Sequence, residues 1–262
     1  MESNEKSELT SRILHCDEAC IVVNKIAGEA VEGAGKGMID LPRQLVAAQL
    51  AAELSAAEWP AVHAKDALAQ PTAVHRLDVP VSGCAVFARG NSALVFLNAA
   101  FSGYAAAKRY WAIVEPPEAD AYNRWPQDDG MHELVHWIQF NPKLNKSSAH
   151  DDPGPGRKKA VLRCRQIGRG QNYLFLEIDL LTGRRHQIRA QLARMGLHIK
   201  GDLKYGARRS EKNGGIRLHA RSISFPDPAD SGKSIIVQAD PPLRDNLWLA
   251  FEAFCGRTNA EG

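Results

Sequence analysis

Apolar residues fall in short blocks separated by polar or Gly/Pro-rich stretches, and the spacing inside each block predicts its element. Ala19 to Asn24 is an apolar run that reads as a strand, and Val74 to Ala88 closes on another, Cys84-Ala85-Val86-Phe87-Ala88. Leu174, Leu176, Ile178 and Leu180 alternate within 173–181, which predicts a strand paired with Val161 to Ile167. Arg109 to Glu115 reads as a strand stopped by Pro116-Pro117, and further strands are predicted from Ile216 to Phe225 and from Ser234 to Gln238. Helical spacing governs three other blocks. Leu94, Leu97 and Phe101 share a face of 91–101 before Gly103; Ile188, Leu192 and Met195 share a face of 186–195 before Gly196; and 243–255 ends the chain as a helix. Leu41, Leu45, Ala48 and Ala52 predict a helix from Ile39 to about Leu54, with alanine-rich chain continuing to Ala69 past a break near Pro60. Residues 28–37, 118–130 and 141–159 read as loops, the last because Asp151-Asp152-Pro153-Gly154-Pro155-Gly156 forbids regular structure. Residues 1–12 read as a flexible tail. Strands dominate and helices interrupt them irregularly, so the expected fold class is α+β, with a mixed, mainly antiparallel central sheet flanked by helices.

Composition narrows the function. No run of about 18 apolar residues occurs, so no membrane span is expected. The polar start, Met1-Glu2-Ser3-Asn4-Glu5-Lys6, lacks an apolar signal core, which makes the cytoplasm the expected location. Five scattered cysteines without a C-x-x-C pair have the usage of reduced thiols and not of a disulfide frame or a zinc site. The net charge of +3 conceals an uneven division. Residues 157–221 hold 17 Lys and Arg against 4 Asp and Glu, while the remainder is acidic. A continuous basic stretch of that size points to a polyanionic partner, and nucleic acid is the expected one.

Candidate chemistry sits in two runs about a hundred residues apart. The first is His75-Arg76-Leu77-Asp78-Val79-Pro80-Val81-Ser82-Gly83. By itself Asp78 reads first as a turn or cap residue, but a carboxylate at the lip of a buried strand is costly without a compensating charge. The second run, Thr182-Gly183-Arg184-Arg185-His186-Gln187-Ile188-Arg189, supplies arginines. A third run, His132-Glu133-Leu134-Val135-His136, satisfies H-E-x-x-H, which on a helix would hold zinc beside a glutamate base. Leu134, His136, Ile138 and Phe140 alternate with Val135 and Trp137, however, and on a strand the two imidazoles would stand about 13 Å apart, too far for one metal.

The first two runs resemble the H-R-L-D-x-x-(T/S)-S-G and G-R-x-H-Q-I-R motifs of the RluA-type pseudouridine synthases. Other pieces agree in order: Val22-Val23-Asn24-Lys25-Ile26-Ala27-Gly28, Lys108-Arg109-Tyr110-Trp111-Ala112, Gly201-Asp202-Leu203-Lys204-Tyr205-Gly206 and Leu218-His219-Ala220. The resemblance runs from about residue 13 to about 226. It implies one catalytic domain over 13–262, a central active-site cleft, and no room for a separate RNA-binding module ahead of it. It also implies conversion of specific uridines to pseudouridine in structured RNA, rRNA or tRNA, without metal or cofactor and with RNA as partner. A monomer is the simplest expectation for the oligomeric state.

The resemblance makes Asp78 the catalytic carboxylate, Arg189 its paired guanidinium and Tyr110 the ring against the target base. Strand alternation lets only one of Tyr110 and Trp111 face a cleft. Arg76 is the residue expected to fill the space of the flipped-out nucleotide, and Ile188 part of the apolar wall around the uracil. Arg184, Arg185, Lys200 and Lys204, with Arg208, Arg209 and Lys212 beyond them, are expected to contact the RNA backbone. Departures from the motifs are Val81 in place of a hydroxyl residue, Ile26 where proline is common, Arg185 where threonine is common, and Leu197-His198 in place of H-P. An RNA-binding protein that keeps the scaffold without the reaction is the alternative reading, and a zinc metallohydrolase a remote one.

Overall fold

The computed structural model describes residues 9–32, 39–41, 44–45, 71–116, 128, 130–230 and 232–258. The chain forms two compact units, one of residues 1–107 with 220–242 and one of residues 108–219 with 243–262.

In the first unit a sheet packs against a helix. Strands β1 (Ile13–Cys16), β2 (Cys20–Lys25) and β6 (Ser82–Ala88) lie side by side and antiparallel, followed by β12 (Leu218–Pro226) and β13 (Ser234–Gln238). The short β5 (Thr72–Ala73) adds to β6, and β3 (Glu29–Ala30) pairs in parallel with β4 (Ile39–Asp40). Helix α1 (Asn91–Ser102) follows the predicted spacing: Ala93 and Leu97 are buried, and the Gly103 amide closes the last turn on Ala99. Its apolar face joins Val22, Val86, Ile223, Phe225 and Val237 in the core. Every residue of β6 is buried, which explains a run without alternation. Gly83 is demanded by geometry. Its φ is +113°, and a Cβ there would lie 2.3 Å from the Ala220 carbonyl oxygen.

Two expectations change in this unit. Leu9 is buried and Arg12 holds a buried carboxylate, so the inner end of the expected tail belongs to the folded unit. Ile39 begins a strand where a helix was expected; helix appears at Leu41 and at 44–45, and Leu41 and Leu45 are both fully buried, as their four-residue spacing requires. The remainder of the expected helical region, 46–70, lies outside the described residues.

The second unit is an antiparallel sheet in the order β7 (Ala107–Val114), β11 (Leu174–Leu180), β10 (Lys158–Arg169), β8 (His132–Asn141), β9 (Lys146–His150). Helix α2 (Gln187–Arg194) ends before Gly196, whose φ is +76°. Helix α3 (Asn246–Thr258) lays Trp248 and Phe251 on Trp111, Ile113 and Phe175. It starts three residues later than its apolar spacing suggested because Asp245 caps it: the Asp245 carboxylate accepts the Trp248 amide at 3.3 Å. The expected loop 141–159 contains β9. That strand was hidden because Lys146, Ser147, Ser148 and His150 carry no apolar alternation; backbone pairing with β8 makes it a strand. Most of the loop expected over 118–130 lies outside the described residues. No helix among the described residues is long and apolar enough to cross a membrane.

Candidate active site

Asp78 occupies a turn just ahead of β6. The Val81 amide donates to the Asp78 carbonyl at 2.9 Å, and the Gly28 amide donates to the Val79 carbonyl at 2.9 Å. A lysine gathers this turn from inside. The Lys25 ammonium, fully buried at the end of β2, donates to the carbonyls of Val81 (2.6 Å), Val79 (3.0 Å), Ile26 (3.0 Å) and Asp78 (3.3 Å). Burial pushes the Lys25 pKa down to about 8, against the opposing pull of the Glu29 and Asp78 carboxylates. Glu29 is itself buried; Arg12 clamps it at 2.9 and 3.0 Å, and it accepts the Ile26 amide at 2.9 Å. Before the turn, His75 accepts the Val86 amide at 3.2 Å and stacks on Phe101 at 5.2 Å. Leu77 points into the core. Arg76 stands out in solvent, with Glu32 at 3.9 Å as a loose, exposed partner. Such a pair contributes at most about 1 kcal/mol, so the arginine is readily lent to another anion.

Arg189 belongs to the second unit and is buried on α2. Its Nε and Nη2 donate to the two carboxylate oxygens of Asp202 at 2.7 and 2.8 Å. The guanidinium also lies 4.8 Å from the centre of the Tyr205 ring. Tyr205 is fixed in turn: its hydroxyl accepts the Ser147 amide at 2.8 Å and meets His186 Nδ1 at 3.0 Å. His186, at φ +52°, occupies the residue position just before α2. Gln187 ties down the residues ahead of it, accepting from Thr182 Oγ1 at 2.8 Å and from the Arg184 amide at 2.9 Å. Within the second motif, His186 braces the Tyr205 ring that underlies the Arg189 guanidinium, and Gln187 fixes the chain entering the helix that carries it. Ile188 is buried beside Arg189.

Tyr110 and Trp111 divide between the faces of β7 as alternation requires. Trp111 stacks on Phe251 at 4.6 Å, so α3 seals its side of the sheet. Tyr110 faces the other way and is buried, opposite Ile178 in the β7–β11 register.

The cations of the basic stretch fall into two kinds. Several are paired with carboxylates: Arg165 with Glu177 at 2.7 Å, Arg194 with Asp151 at 2.5 Å, and Arg217 with both Glu211 and Asp245. Lys200, expected to contact RNA, belongs to this kind. It is half-buried and ion-paired to Glu211, inside the same network as Arg217. Arg184, Arg185 and Lys204 have neutral partners instead, the Lys159 carbonyl, the Asn145 side chain and the Asn145 carbonyl. Among the described residues no ion pair engages them.

The H-E-x-x-H run lies on β8 and does not converge. His132 meets Asp128 at 2.6 Å, whereas His136 is buried against Gln191 at 3.0 Å. Burial lowers the His136 pKa and favours the neutral ring. Among the described residues, the one group whose ligand atoms gather closely enough for a metal is His15, Asp17 and Cys20. Its atoms are already engaged. One Asp17 oxygen accepts the Ala19 and Cys20 amides, the other meets His15 at 2.7 Å, and burial raises the Cys20 pKa, which keeps the thiol protonated. This group is a hairpin turn lock.

Lys25, Asp202 and Tyr205 received no role from sequence reasoning. Their signal was their place inside the ordered motif fragments, and Asp202 is one of only four carboxylates in the basic stretch 157–221.

Comparison with known proteins bears on the family and the fold. Residues 19–194 match the family described as RNA pseudouridylate synthase. The chain is 30% identical over 219 residues to an uncharacterized RNA pseudouridine synthase of Zymomonas mobilis, covering 83% of this chain and 88% of that one. It is 29% identical to ribosomal large subunit pseudouridine synthase D of the same organism, covering 91% of this chain and 72% of that one. Among solved structures it resembles human RNA pseudouridylate synthase domain containing 4, with a TM-score of 0.67, 18% identity, and coverage of 96% and 95% of the two chains. That likeness supports the α+β fold.

Proposed function

The chain belongs to the RNA pseudouridylate synthase family and isomerises uridine to pseudouridine in RNA, and we propose that Asp78 carries the reaction with Arg189 and Tyr110 as its partners. The bond between uracil and the ribose C1′ breaks, the base turns, and a new bond forms from C1′ to carbon-5, which then gives up its hydrogen as a proton. An ionised carboxylate serves such a sequence, either as nucleophile at C1′ or as promoter of base loss and proton removal. Asp202 holds Arg189 by Nε and Nη2; the reading makes this guanidinium the partner of the Asp78 carboxylate, whose charge a guanidinium stabilises. Tyr110 supplies a rigid ring face for the uracil, with Ile188 in the apolar wall. Arg76 fills the stack vacated by the flipped nucleotide, and Arg184, Arg185 and Lys204 contact phosphates. The reaction needs no metal or cofactor in this scheme. The target is a position in rRNA or tRNA, and the enzyme works as a cytoplasmic monomer.

The observation that carries the reading is the family match across residues 19–194, which contains Asp78, Tyr110 and Arg189 together. The test is release of the carbon-5 hydrogen from labelled uridine in cellular RNA. Wild type should release it, and Asp78→Asn should lose about 10⁴-fold or more in turnover, the order expected for an essential nucleophile. Undiminished release by Asp78→Asn removes Asp78 from the chemistry. RNA binding by wild type without any release favours the binding-only alternative.

A further inference from the structure

The tip of the β8–β9 hairpin, residues 141–146, is exposed along its whole length. Its turn ends at Asn145, at φ +45°, and two cations from elsewhere in the second unit fasten to that residue. Arg185 Nη2 donates to the Asn145 side-chain oxygen at 2.8 Å, and Lys204 Nζ donates to the Asn145 carbonyl at 3.2 Å. The Arg185 guanidinium covers the Phe140 ring at 4.2 Å, and Lys146 Nζ lies 5.1 Å from the Tyr205 ring centre. Just inside the tip, Ser147 Oγ donates to the Arg185 carbonyl at 2.7 Å. The hairpin is therefore clasped to the segments on either side of the Arg189–Asp202 pair. Two leucines adjoin the clasp and stand in water: Leu144 is 66% exposed and Leu203 58%. No Asp or Glu occurs in 134–150, 180–201 or 203–210, the stretches joined here. Exposed leucines next in the chain to Asn145 and Lys204, the two residues that hydrogen-bond each other in the clasp, suit an unpaired nucleotide, whose base offers an apolar face between two phosphates.

We propose that this clasped tip seats an unpaired nucleotide of the folded RNA, with Leu144 and Leu203 under the base and Lys143, Lys146, Arg185 and Lys204 at the neighbouring phosphates. The proposal rests on the RNA-modifying reading and names a contact away from Asp78. It is tested by fluorescence anisotropy with two labelled RNAs of equal length, a stem–loop with an unpaired loop and a fully paired duplex. Wild type should bind the stem–loop more tightly. Leu144→Ser with Leu203→Ser should weaken stem–loop binding about tenfold, the scale of the apolar contact two leucines lose against a base, and leave duplex binding as it was. Lys143→Gln with Lys146→Gln should lower the slope of log affinity against log salt by about 1.4 to 1.8 on the stem–loop. Both pairs replace exposed side chains, and unchanged melting temperatures verify that the fold is intact; the single substitutions serve if a pair alters it. A leucine pair that binds the stem–loop like wild type overturns the proposal, as does one that weakens both RNAs equally. Carbon-5 hydrogen release by wild type is scored separately, so failure of the isomerase reading and failure of this contact give different results.

Discussion

Asp78 and Arg189 are fixed by opposite means. The Asp78 turn is held through its main chain, by a buried ammonium that collects the carbonyls of Asp78, Val79 and Val81. Arg189 is held through its side chain, by a buried carboxylate on two of its nitrogens and a ring beneath its plane. The difference suits the two assigned roles. A carboxylate that must meet a ribose is best located by its backbone, so that the contacts that place it fall on carbonyl oxygens. A guanidinium that only stabilises charge gains from being locked, because the planar fork is useful in one orientation.

The comparison breaks most severely at Asp202. Asp202→Ala leaves the Arg189 charge buried without its partner, and loss of one member of a buried pair costs about 3–5 kcal/mol. Urea unfolding should show a loss on that scale, with turnover falling further than stability alone explains. A variant that unfolds like wild type would mean that Arg189 has other support.

Lys25 tests the main-chain side through pH. Its native pKa of about 8 lies below its ordinary value of 10.5. Between those two values the unfolded chain binds the proton that the folded chain has released, so this group makes stability rise as pH increases from about 8 to 10.5. The full difference is about 3 kcal/mol, and the folded state bears that cost at pH 7, where both states are protonated. Lys25→Met should flatten this part of the stability–pH curve relative to wild type. At pH 7 the same variant should turn over about tenfold more slowly, as the turn loses donors of about 1–3 kcal/mol each. A steep alkaline rise that survives in Lys25→Met would assign it to another group.

The smallest effect is expected at Arg76. Glu32→Gln removes only an exposed partner 3.9 Å away, so stability should change by less than about 0.5 kcal/mol. Arg76→Ala should also leave the melting temperature near that of wild type while raising KM for RNA. An equal loss of stability in both variants would make the pair structural.

Much of this was legible in the chain. β13 was predicted with its observed bounds, and α1, β2 and β11 to within a residue or two, because each has one face decided by local spacing. The strand at His132–Asn141 was legible for the same reason, and its alternation made the H-E-x-x-H reading a remote one. Helix α3 was displaced because Asp245, a cap, outweighs the position of Leu243. β9 was missed because its order comes from pairing with β8 and not from its side chains. The pairing of Lys200 with Glu211 was not legible because a sequence shows a charge without its partner, and Glu211 stands eleven residues away.

The sequence by itself determined the alternation of strands and helices, the order of the motifs and the excess of positive charge, all properties of neighbours along the chain. Only the tertiary structure decided which cations keep their charge, which aromatic face of β7 is sealed, and that Lys25 and Asp202 hold the turn and the guanidinium. Those outcomes depend on burial and on partners distant in sequence, as with Lys25 and Val81, and a buried charge is settled by whatever the fold brings within about 3 Å of it.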